Sequence, residues 1–172
     1  LKFLGFYVAE GCTNIRKGSG TSITVAYNPL DEEELVTKLI TDIGFVPKHS
    51  KGCKRFSSAP LAYWLKDNCG HLASNKRVPD FIKQLAPEYI EEFLKYLFIG
   101  DGYQSKTANI LTTTSKQLRD DVCELLLKCG YSFSYHEREP KEAKPLTDGR
   151  IIQGKQIAYY INWLQLTDVE ID

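Results

Sequence analysis

Two acidic residues, each followed directly by glycine, end two apolar stretches of the 172-residue chain. The first stretch reads LGFYVAEG and closes with Glu10 and Gly11, and the second reads YLFIGDGY and contains Asp101 and Gly102. Carboxylate oxygens are hard ligands that suit Mg²⁺, and two carboxylates brought together repel each other until a cation binds. The two acids are therefore the first candidates for chemistry in this sequence.

Both acids occupy positions that helices normally keep free of negative charge. Apolar residues cover nearly every direction around the helix predicted at residues 93–99, so its C-terminal half should be surrounded by protein. The helix dipole is negative at this end, and a carboxylate there costs about 0.5 kcal/mol near a surface. A penalty that occurs twice indicates that the charge serves another purpose. Two unrelated acids at helix ends are the alternative interpretation.

The chain contains two copies of one sequence pattern. When Glu10 is aligned with Asp101, Gly44 falls on Gly130, and each copy has a strand-like run and an amphipathic helix between acid and glycine. Apolar residues recur at i, i+3, i+4 and i+7 in both helices, which gives each helix one apolar stripe. The repeat places the two acids at equivalent positions of two similar halves.

Each half is predicted to be a small sheet backed by helices. Asn28 and Thr114 stand at the predicted N-caps of the two amphipathic helices. After each glycine come a short strand, a basic turn-rich stretch and a further strand, which predicts a hairpin. The residue pattern thus gives helix–strand–helix–strand–strand in each copy. It predicts an α+β fold with two pseudo-symmetric halves, residues 1–86 and 87–172.

Composition excludes some classes of protein and constrains others. Lys and Arg number 22, as do Asp and Glu, so any surface for nucleic acid would have to be local. No apolar run reaches the roughly 18–20 residues of a membrane span. The five cysteines include no CxxC pair and are expected to be free thiols, which favours a cytoplasmic, intracellular protein. Because the chain lacks Met and begins inside an apolar pattern, we interpret it as a segment of a longer polypeptide.

At the acid motifs the sequence resembles the LAGLIDADG homing endonucleases of the dodecapeptide type, which are found inside archaeal inteins. LGFYVAEG is similar to the first acid motif of that family, and FLKYLFIGDGY is similar to the second. LASNKRVPDFI, which includes Lys76 and Pro79, resembles the block that follows the first acid motif. The likeness runs from about residue 1 to about residue 165, and three motifs in order are far more specific than one.

The resemblance implies an αββαββα fold for each half. The two motif helices would form the central interface, and two antiparallel sheets would make a saddle over DNA. Helices that pack so closely need small side chains at their crossing. The residues at the predicted interface are Gly5, Ala9, Tyr96 and Gly100. Tyr96 departs from the family, which usually has a small residue at that position.

The resemblance also implies the groups that carry the chemistry. The predicted metal-binding set for Mg²⁺ (or Mn²⁺) comprises Glu10, Asp101, Gly11 and Gly100. Lys76 falls on the basic residue that helps to organise the scissile phosphate and the attacking water, and Lys155 is predicted as its counterpart in the second half. Without the flanking acid motifs, an ordinary solvated lysine would be the better interpretation of Lys76.

The predicted DNA contacts lie in the two basic hairpins, because phosphate contacts require Lys and Arg side chains. They are Lys48, Lys51, Lys54 and Arg55 in the first hairpin and Arg138, Lys141, Lys144 and Arg150 in the second. For any single lysine of this set, an ordinary solvated hairpin tip is the alternative.

The function implied by the resemblance is site-specific, metal-dependent hydrolysis of double-stranded DNA. The enzyme would be a monomeric homing endonuclease domain whose parent chain also carries splicing domains. One alternative is a nucleic-acid-binding protein of the same fold that no longer cuts, such as a transcription regulator or a maturase-like protein. A third class, a protein-interaction domain or a two-carboxylate hydrolase acting on sugars, fits the duplicated, strand-rich layout with basic hairpins less well.

Overall fold

The computed structural model describes residues 1–16, 20–140, 144–145, 151–152 and 156–164, with the backbone alone for 144–145 and 151–152. The first half contains α1 (Lys2–Glu10), β1 (Gly11–Arg16), β2 (Gly20–Ala26), α2 (Glu33–Asp42), β3 (Lys48–Ser50), β4 (Cys53–Phe56) and α3 (Ala59–Cys69). Two 3-10 helices, Ala73–Asn75 and Asp80–Gln84, lead to the second half. That half contains α4 (Pro87–Asp101), β5 (Gly102–Gln104), β6 (Ala108–Thr113), α5 (Lys116–Lys128), β7 (Phe133–Arg138), β8 (Lys144–Pro145), β9 (Ile151–Ile152) and β10 (Ala158–Leu164).

Each half builds one four-stranded antiparallel sheet. The strand order is β1-β2-β4-β3 in the first sheet and β5-β6-β10-β7 in the second. In both sheets the strand that follows the acid lies at an edge and pairs with the next strand along the chain. The short strands β8 and β9 pair with each other in a separate ribbon. This architecture confirms the predicted α+β fold with two similar halves and two antiparallel sheets.

The core of each half lies between its helices and the inner face of its sheet. Ile23 and Val25 of β2, Leu111 of β6 and Ile161 of β10 are at most 2% exposed. Burial of each such side chain contributes about 1.5–3 kcal/mol, and a one-residue slip in strand register would turn it to solvent. The apolar inner faces therefore fix which polar side chains occupy the outer faces.

The residue pattern alone missed one strand in each half. β1 (GCTNIR) and β5 (GYQ) follow the acids directly, but they are short and largely polar, so their alternation signal is weak. The order implied by the resemblance, αββαββα, matches α1-β1-β2-α2-β3-β4-α3 in the first half. The second half follows the same order from α4 to β10, with the β8–β9 ribbon inserted after β7.

The predicted starts of the amphipathic helices were wrong. α2 begins at Glu33, because Asn28 forms a turn of its own. The Asn28 carbonyl accepts from the Glu32 amide at 3.0 Å, and the Glu32 carboxylate accepts from the Asn28 amide at 2.7 Å. Such local bonds compete with helix formation. In the second half the N-cap is Ser115, one residue beyond Thr114.

The aligned glycines that follow the two amphipathic helices share one backbone conformation. Gly44 has φ +86° and Gly130 has φ +80°, in the left-handed region that favours glycine after a helix. This shared conformation supports the alignment of the two copies.

All five cysteines are free, as the sequence predicted. Among the described residues, none of the helices combines the length and the apolarity needed to cross a bilayer.

Candidate active site

Helices α1 and α4 cross at backbone distance. A Cβ atom built on Gly5 would lie 2.3 Å from the carbonyl oxygen of Phe93, and one built on Gly100 would lie 2.5 Å from the Cβ of Ala9. Both distances are shorter than real Cβ contacts, so the crossing requires glycine at these positions. Tyr96 also lies at the crossing, since its Cβ is 3.1 Å from the position of a Gly5 Cβ. The structure thus brings all four predicted interface residues together.

The crossing places the two acids side by side. Glu10 is the last residue of α1 and Asp101 is the last residue of α4. The Cγ of Glu10 lies 3.2 Å from the position of a Cβ on Gly100, the residue before Asp101. After each acid the backbone turns directly into an edge strand, with φ −89° at Gly11 and −91° at Gly102. The carboxylates therefore leave the paired helices at one common end.

Glycine follows each acid because of space, not because of backbone conformation. A Cβ on Gly11 would lie 2.0 Å from the ring of Tyr7, and one on Gly102 would lie 2.1 Å from the ring of Phe98. Each aromatic ring fills the space beneath the turn from helix to strand. The Glu–Gly and Asp–Gly pairs are thus packing motifs as well as carriers of charge.

Burial and charge raise the pKa values of both carboxyls. Burial raises the pKa of Asp101 to about 6, and the positive charge of Lys76 opposes this shift. Burial also raises the pKa of Glu10, with smaller contributions from repulsion by Asp101 and Glu32 and an opposing one from Lys76. The two acids and Lys76 therefore lie within electrostatic range of one another. A divalent cation between the carboxylates would offset both burial and repulsion.

Lys76 is buried beside the acids and closes the end of α1. Its Nζ donates to the carbonyl of Gly11 at 2.6 Å and to that of Tyr7 at 3.0 Å. The same ammonium lies 4.6 Å from the centre of the Tyr7 ring. Lys76 is 7% exposed, and burial lowers its pKa, while the nearby Asp101 and Glu10 raise it to a smaller extent. This lysine supplies the positive charge that a helix C-terminus favours.

The donor set fits a divalent cation shared with a substrate. Among the described residues no cluster of three or more His, Cys, Asp or Glu side chains is present. The protein therefore offers the carboxylates of Glu10 and Asp101, and further oxygen ligands would have to come from elsewhere. One lone pair of the Gly11 carbonyl is already occupied by Lys76. Mg²⁺ accepts such a site, because it is commonly held by one or two carboxylates together with phosphate and water.

The first basic hairpin divides its charges between the two faces of the sheet. Arg55 lies opposite Lys48 on β3 and Thr24 on β2, so these three side chains share the outer face. Lys48 and Arg55 are exposed, as is Lys51 in the turn between β3 and β4. Because successive side chains of a strand alternate, Lys54 points to the inner face. The outer face is thus basic at Lys48, Lys51 and Arg55.

The inclusion of Lys54 in the exposed basic set requires correction. Lys54 is 7% exposed, and its Nζ lies 2.6 Å from a carboxylate oxygen of Glu33 on α2. The ammonium also lies 5.7 Å from the centre of the Tyr27 ring. Lys54 is therefore paired with Glu33 in the interior of the first half and is not part of the exposed basic surface.

Of the four residues predicted for DNA contact in the second hairpin, Arg138 is the one whose side chain the structure describes. Its guanidinium lies 5.0 Å from the ring centre of Tyr160, and that ring stacks on His136 at 4.9 Å between centres. All three belong to one face, because Tyr160 pairs directly with His136, and Ala158, two residues before Tyr160, pairs with Arg138. Three further predicted residues lie outside the described residues, and they are Lys141, Arg150 and Lys155. Lys144 is described for its backbone alone.

Sequence reasoning missed two buried residues that contact the segment around Lys76. Ser115 donates from Oγ to the carbonyl of Lys76 at 2.6 Å, and Asp121 accepts from the amide of Val78 at 2.8 Å. The signal for Asp121 was present, because it lies three residues after Leu118 on the apolar stripe of α5, where a carboxylate is unexpected.

Solved structures of a homing endonuclease share this fold. The protein matches mesophilic variants of the homing endonuclease I-DmoI with a TM-score of 0.61 and 15% identity, covering 96% of this chain and 87% of that one. It matches I-DmoI in complex with DNA and Ca with a TM-score of 0.59 and 14% identity, over 96% and 81% of the two chains. For I-DmoI in complex with DNA and Mn, the TM-score is 0.57 at 16% identity, over 96% and 88%. The fold is therefore that of a LAGLIDADG homing endonuclease.

Residues 88–162 match the family model of the LAGLIDADG-like domain. The second half of the chain thus carries a LAGLIDADG-like domain, which confirms the resemblance seen in the acid motifs.

Parts of several Thermococcus proteins are also similar to the chain. A DNA polymerase of Thermococcus aggregans is 33% identical over 138 residues, which cover 76% of this chain and 7% of the polymerase. The ATP-dependent DNA helicase Hel308 of Thermococcus kodakarensis is 28% identical in an alignment 178 residues long, gaps included, which covers 92% of this chain and 15% of the helicase. A DNA polymerase of Thermococcus sp. (strain GE8) is 33% identical over 114 residues, or 59% and 6%. The chain thus spans a small fraction of these relatives.

Proposed function

We propose that the protein is a site-specific endonuclease that cuts both strands of double-stranded DNA with the help of a divalent metal ion. The pair of carboxylates at the common end of α1 and α4 carries this proposal. Glu10 and Asp101 are buried enough to raise their pKa values, and this arrangement is costly without a bound cation. A protein that only binds DNA gains nothing from carboxylates that face phosphates, because like charges repel.

The residues around the carboxylates divide the work of phosphodiester hydrolysis. Mg²⁺ or Mn²⁺ held by Glu10 and Asp101, beside Gly11 and Gly100, would neutralise charge at phosphorus and lower the pKa of a bound water. Lys76 cannot be a metal ligand, because an ammonium has no lone pair. It holds a fixed positive charge beside both acids and so favours the negatively charged phosphate and transition state.

The outer faces of the two sheets are the proposed DNA-binding surface. Their exposed basic residues would contact phosphates, whereas short polar side chains on the same strands would reach base edges. The described residues proposed for phosphate contact are Lys48, Lys51, Arg55 and Arg138. Each half, 1–86 and 87–172, supplies one sheet and one acid, so a monomer can act on both strands.

We further infer that the domain originates from an intein. It is similar to short parts of DNA polymerases and of a DNA helicase, as expected for a segment inserted into host proteins. The parent chain would then carry splicing domains as well. A genomic DNA substrate also implies an intracellular protein.

Cleavage of the uninterrupted host-gene junction tests the proposal. The protein is incubated with a plasmid carrying that junction, in Mg²⁺ or in EDTA, and products are separated by electrophoresis. We expect double-strand cutting in Mg²⁺, none in EDTA, and a loss of at least about 100-fold in rate for Glu10→Gln or Asp101→Asn.

Glu88→Gln is the matched control, because Glu88 lies exposed in the first turn of α4, at the opposite end from Asp101. It exchanges the same groups on the same helix and should retain full activity. Tight binding without cutting would identify the non-cleaving alternative. Absence of binding at low salt would contradict a nucleic-acid function altogether.

A further inference from the structure

We propose that Ser115 and Asp121 are positioning residues that hold Lys76 against the end of α1. This inference rests on the proposed function in one respect, because it assigns Lys76 a role in DNA cleavage. Both residues belong to the second half, whereas the carbonyls that Lys76 contacts belong to the first. The geometry of the cleavage site would thus depend on a contact between the halves.

The segment that carries Lys76 provides little support of its own. Lys76 lies between the two 3-10 helices, outside regular secondary structure. Its amide makes one long hydrogen bond, 3.5 Å to the carbonyl of Ala73. Its ammonium must nevertheless reach two carbonyls that lie 65 and 69 residues away in sequence. Contacts from neighbouring elements must therefore fix the backbone here, and on the side of the first half the Arg77 amide donates to the carbonyl of Cys69, the last residue of α3, at 3.0 Å.

Two buried side chains of the α5 region contact the backbone on the C-terminal side of Lys76. Ser115 Oγ donates to the Lys76 carbonyl at 2.6 Å, and Asp121 Oδ2 accepts from the Val78 amide at 2.8 Å. Ser115 is 0% exposed and Asp121 is 2% exposed. Ser115 is also the N-cap of α5, since its Oγ accepts from the Leu118 amide at 3.1 Å. The start of α5 and the Lys76 backbone are thus fixed by the same hydroxyl.

Both carboxylate oxygens of Asp121 accept hydrogen bonds, and its negative charge is paired with Lys83. Its Oδ1 accepts from Lys83 Nζ at 2.6 Å and from Gln117 Nε2 at 2.9 Å, while Oδ2 serves Val78. A buried ion pair contributes little net stability compared with apolar residues of similar volume, because desolvation offsets the attraction. We therefore assign Asp121 a role in holding its three donors in place, because a carboxylate can accept three hydrogen bonds at once and a side-chain amide cannot.

The test compares Ser115→Ala and Asp121→Asn with Ser58→Ala. Ser58 is the matched control, because it caps α3 by accepting from the Leu61 amide at 3.4 Å and, among the described residues, its side chain makes no hydrogen bond to the Lys76 segment. We expect the two positioning variants to lower the single-turnover cleavage rate about 10- to 100-fold while the DNA dissociation constant stays constant. Ser58→Ala should lower thermal stability less than Ser115→Ala, which also leaves the Lys76 carbonyl without a donor, and it should keep the rate.

A double-mutant cycle separates positioning from general destabilisation. In a Lys76→Met background, Ser115→Ala should cause no further loss of the residual cleavage rate, because the group it positions is absent. Equal losses in both backgrounds would overturn the proposal. A rate loss in Ser58→Ala equal to that in Ser115→Ala would also overturn it.

Nuclear magnetic resonance tests the same inference without cleavage. The Tyr7 ring lies against the Lys76 ammonium, so the ε-methylene signals of Lys76 should be shifted upfield from those of exposed lysines. Lys76→Met assigns these signals by their loss. They should move towards exposed-lysine values in Ser115→Ala and Asp121→Asn but stay in Ser58→Ala, and unchanged signals would overturn the proposal. If the wild-type protein does not cut DNA, this measurement still decides whether the two residues position Lys76.

Discussion

The ammonium of Lys76 lies 2.6 Å from the carbonyl oxygen of Gly11 and 3.0 Å from that of Tyr7, at the C-terminal end of the helix that carries Glu10. The sequence showed a carboxylate where a helix favours a cation. The structure supplies that cation from the segment of the first half that follows α3. Lys76 thus stabilises the end of α1 and, at the same time, lies beside both acids.

Replacement of Asp101 by Asn should stabilise the metal-free protein at alkaline pH. The folded-state pKa of about 6 exceeds the ordinary value of 3.8, so ionised Asp101 destabilises the fold above pH 6. We expect Asp101→Asn to raise the free energy of unfolding by about 1–3 kcal/mol at pH 8 in EDTA. The gain should disappear as the pH falls from about 6 to about 4, where the wild-type carboxyl is also neutral.

Urea denaturation of the two proteins across this pH range measures the effect. Glu88→Gln provides the control, since it alters an exposed carboxylate of the same helix. A variant that is less stable than the wild type at pH 8, or a difference that does not vary with pH, would contradict the interpretation.

Lys76→Met should destabilise the fold in addition to lowering the proposed activity. The variant retains most of the side-chain volume but removes the lysine donor from the carbonyls of Gly11 and Tyr7, of which the Tyr7 carbonyl still accepts from the Gly11 amide. Loss of a partner from buried polar groups costs about 1–3 kcal/mol. The midpoint of urea unfolding should therefore fall, and an unchanged midpoint would show that these hydrogen bonds add nothing to stability.

Gly100→Ala should disrupt the crossing of α1 and α4, because its new methyl group would lie 2.5 Å from the Cβ of Ala9. We expect a loss of at least about 2 kcal/mol in the free energy of unfolding. Ala9→Gly removes the colliding methyl group at a cost of about 0.5–1 kcal/mol in helix propensity. The double variant should accordingly be more stable than Gly100→Ala alone. Additive losses measured by thermal unfolding would contradict this contact.

Arg55 and Lys54 should respond in opposite ways although they are neighbours in sequence. Arg55→Ala should weaken DNA binding and reduce the slope of log affinity against log salt by about 1, as expected for one lost phosphate contact. Lys54→Met should leave that slope unchanged and lower stability by about 1 kcal/mol, because it removes the contact with Glu33. Fluorescence anisotropy with labelled DNA at several salt concentrations distinguishes the two, and identical slopes for both variants would contradict the assignment of faces.

The sequence was sufficient to predict the features that repeat. The two acid motifs, the aligned glycines and the small residues at the crossing predicted two similar halves that meet at α1 and α4. The inward position of Lys54 was also predictable, since Phe56 two residues later is apolar and marks the same face of β4. The alternation of side chains along β4 decides the direction of Lys54, whatever the net charge of the hairpin.

Other features depend on distant partners that local patterns do not record. The hydrogen bonds of Lys76 join residues 65 and 69 positions apart, and that of Asp121 with Val78 joins residues 43 positions apart. The start of α2 was misplaced because Asn28 satisfies a turn as readily as an N-cap. The position of Lys76 thus depends on tertiary contacts, and the start of α2 depends on competition between a turn and a helix N-cap at Asn28.

The most direct test of the account is the location of a divalent cation in a complex with DNA. Crystals of the protein bound to its cleaved or uncleaved target in Mn²⁺ would be measured at a wavelength where manganese scatters anomalously. The account predicts an anomalous peak within coordination distance of the carboxylates of both Glu10 and Asp101 and of a DNA phosphate oxygen. A cleavage-competent complex whose manganese contacts neither carboxylate would contradict it.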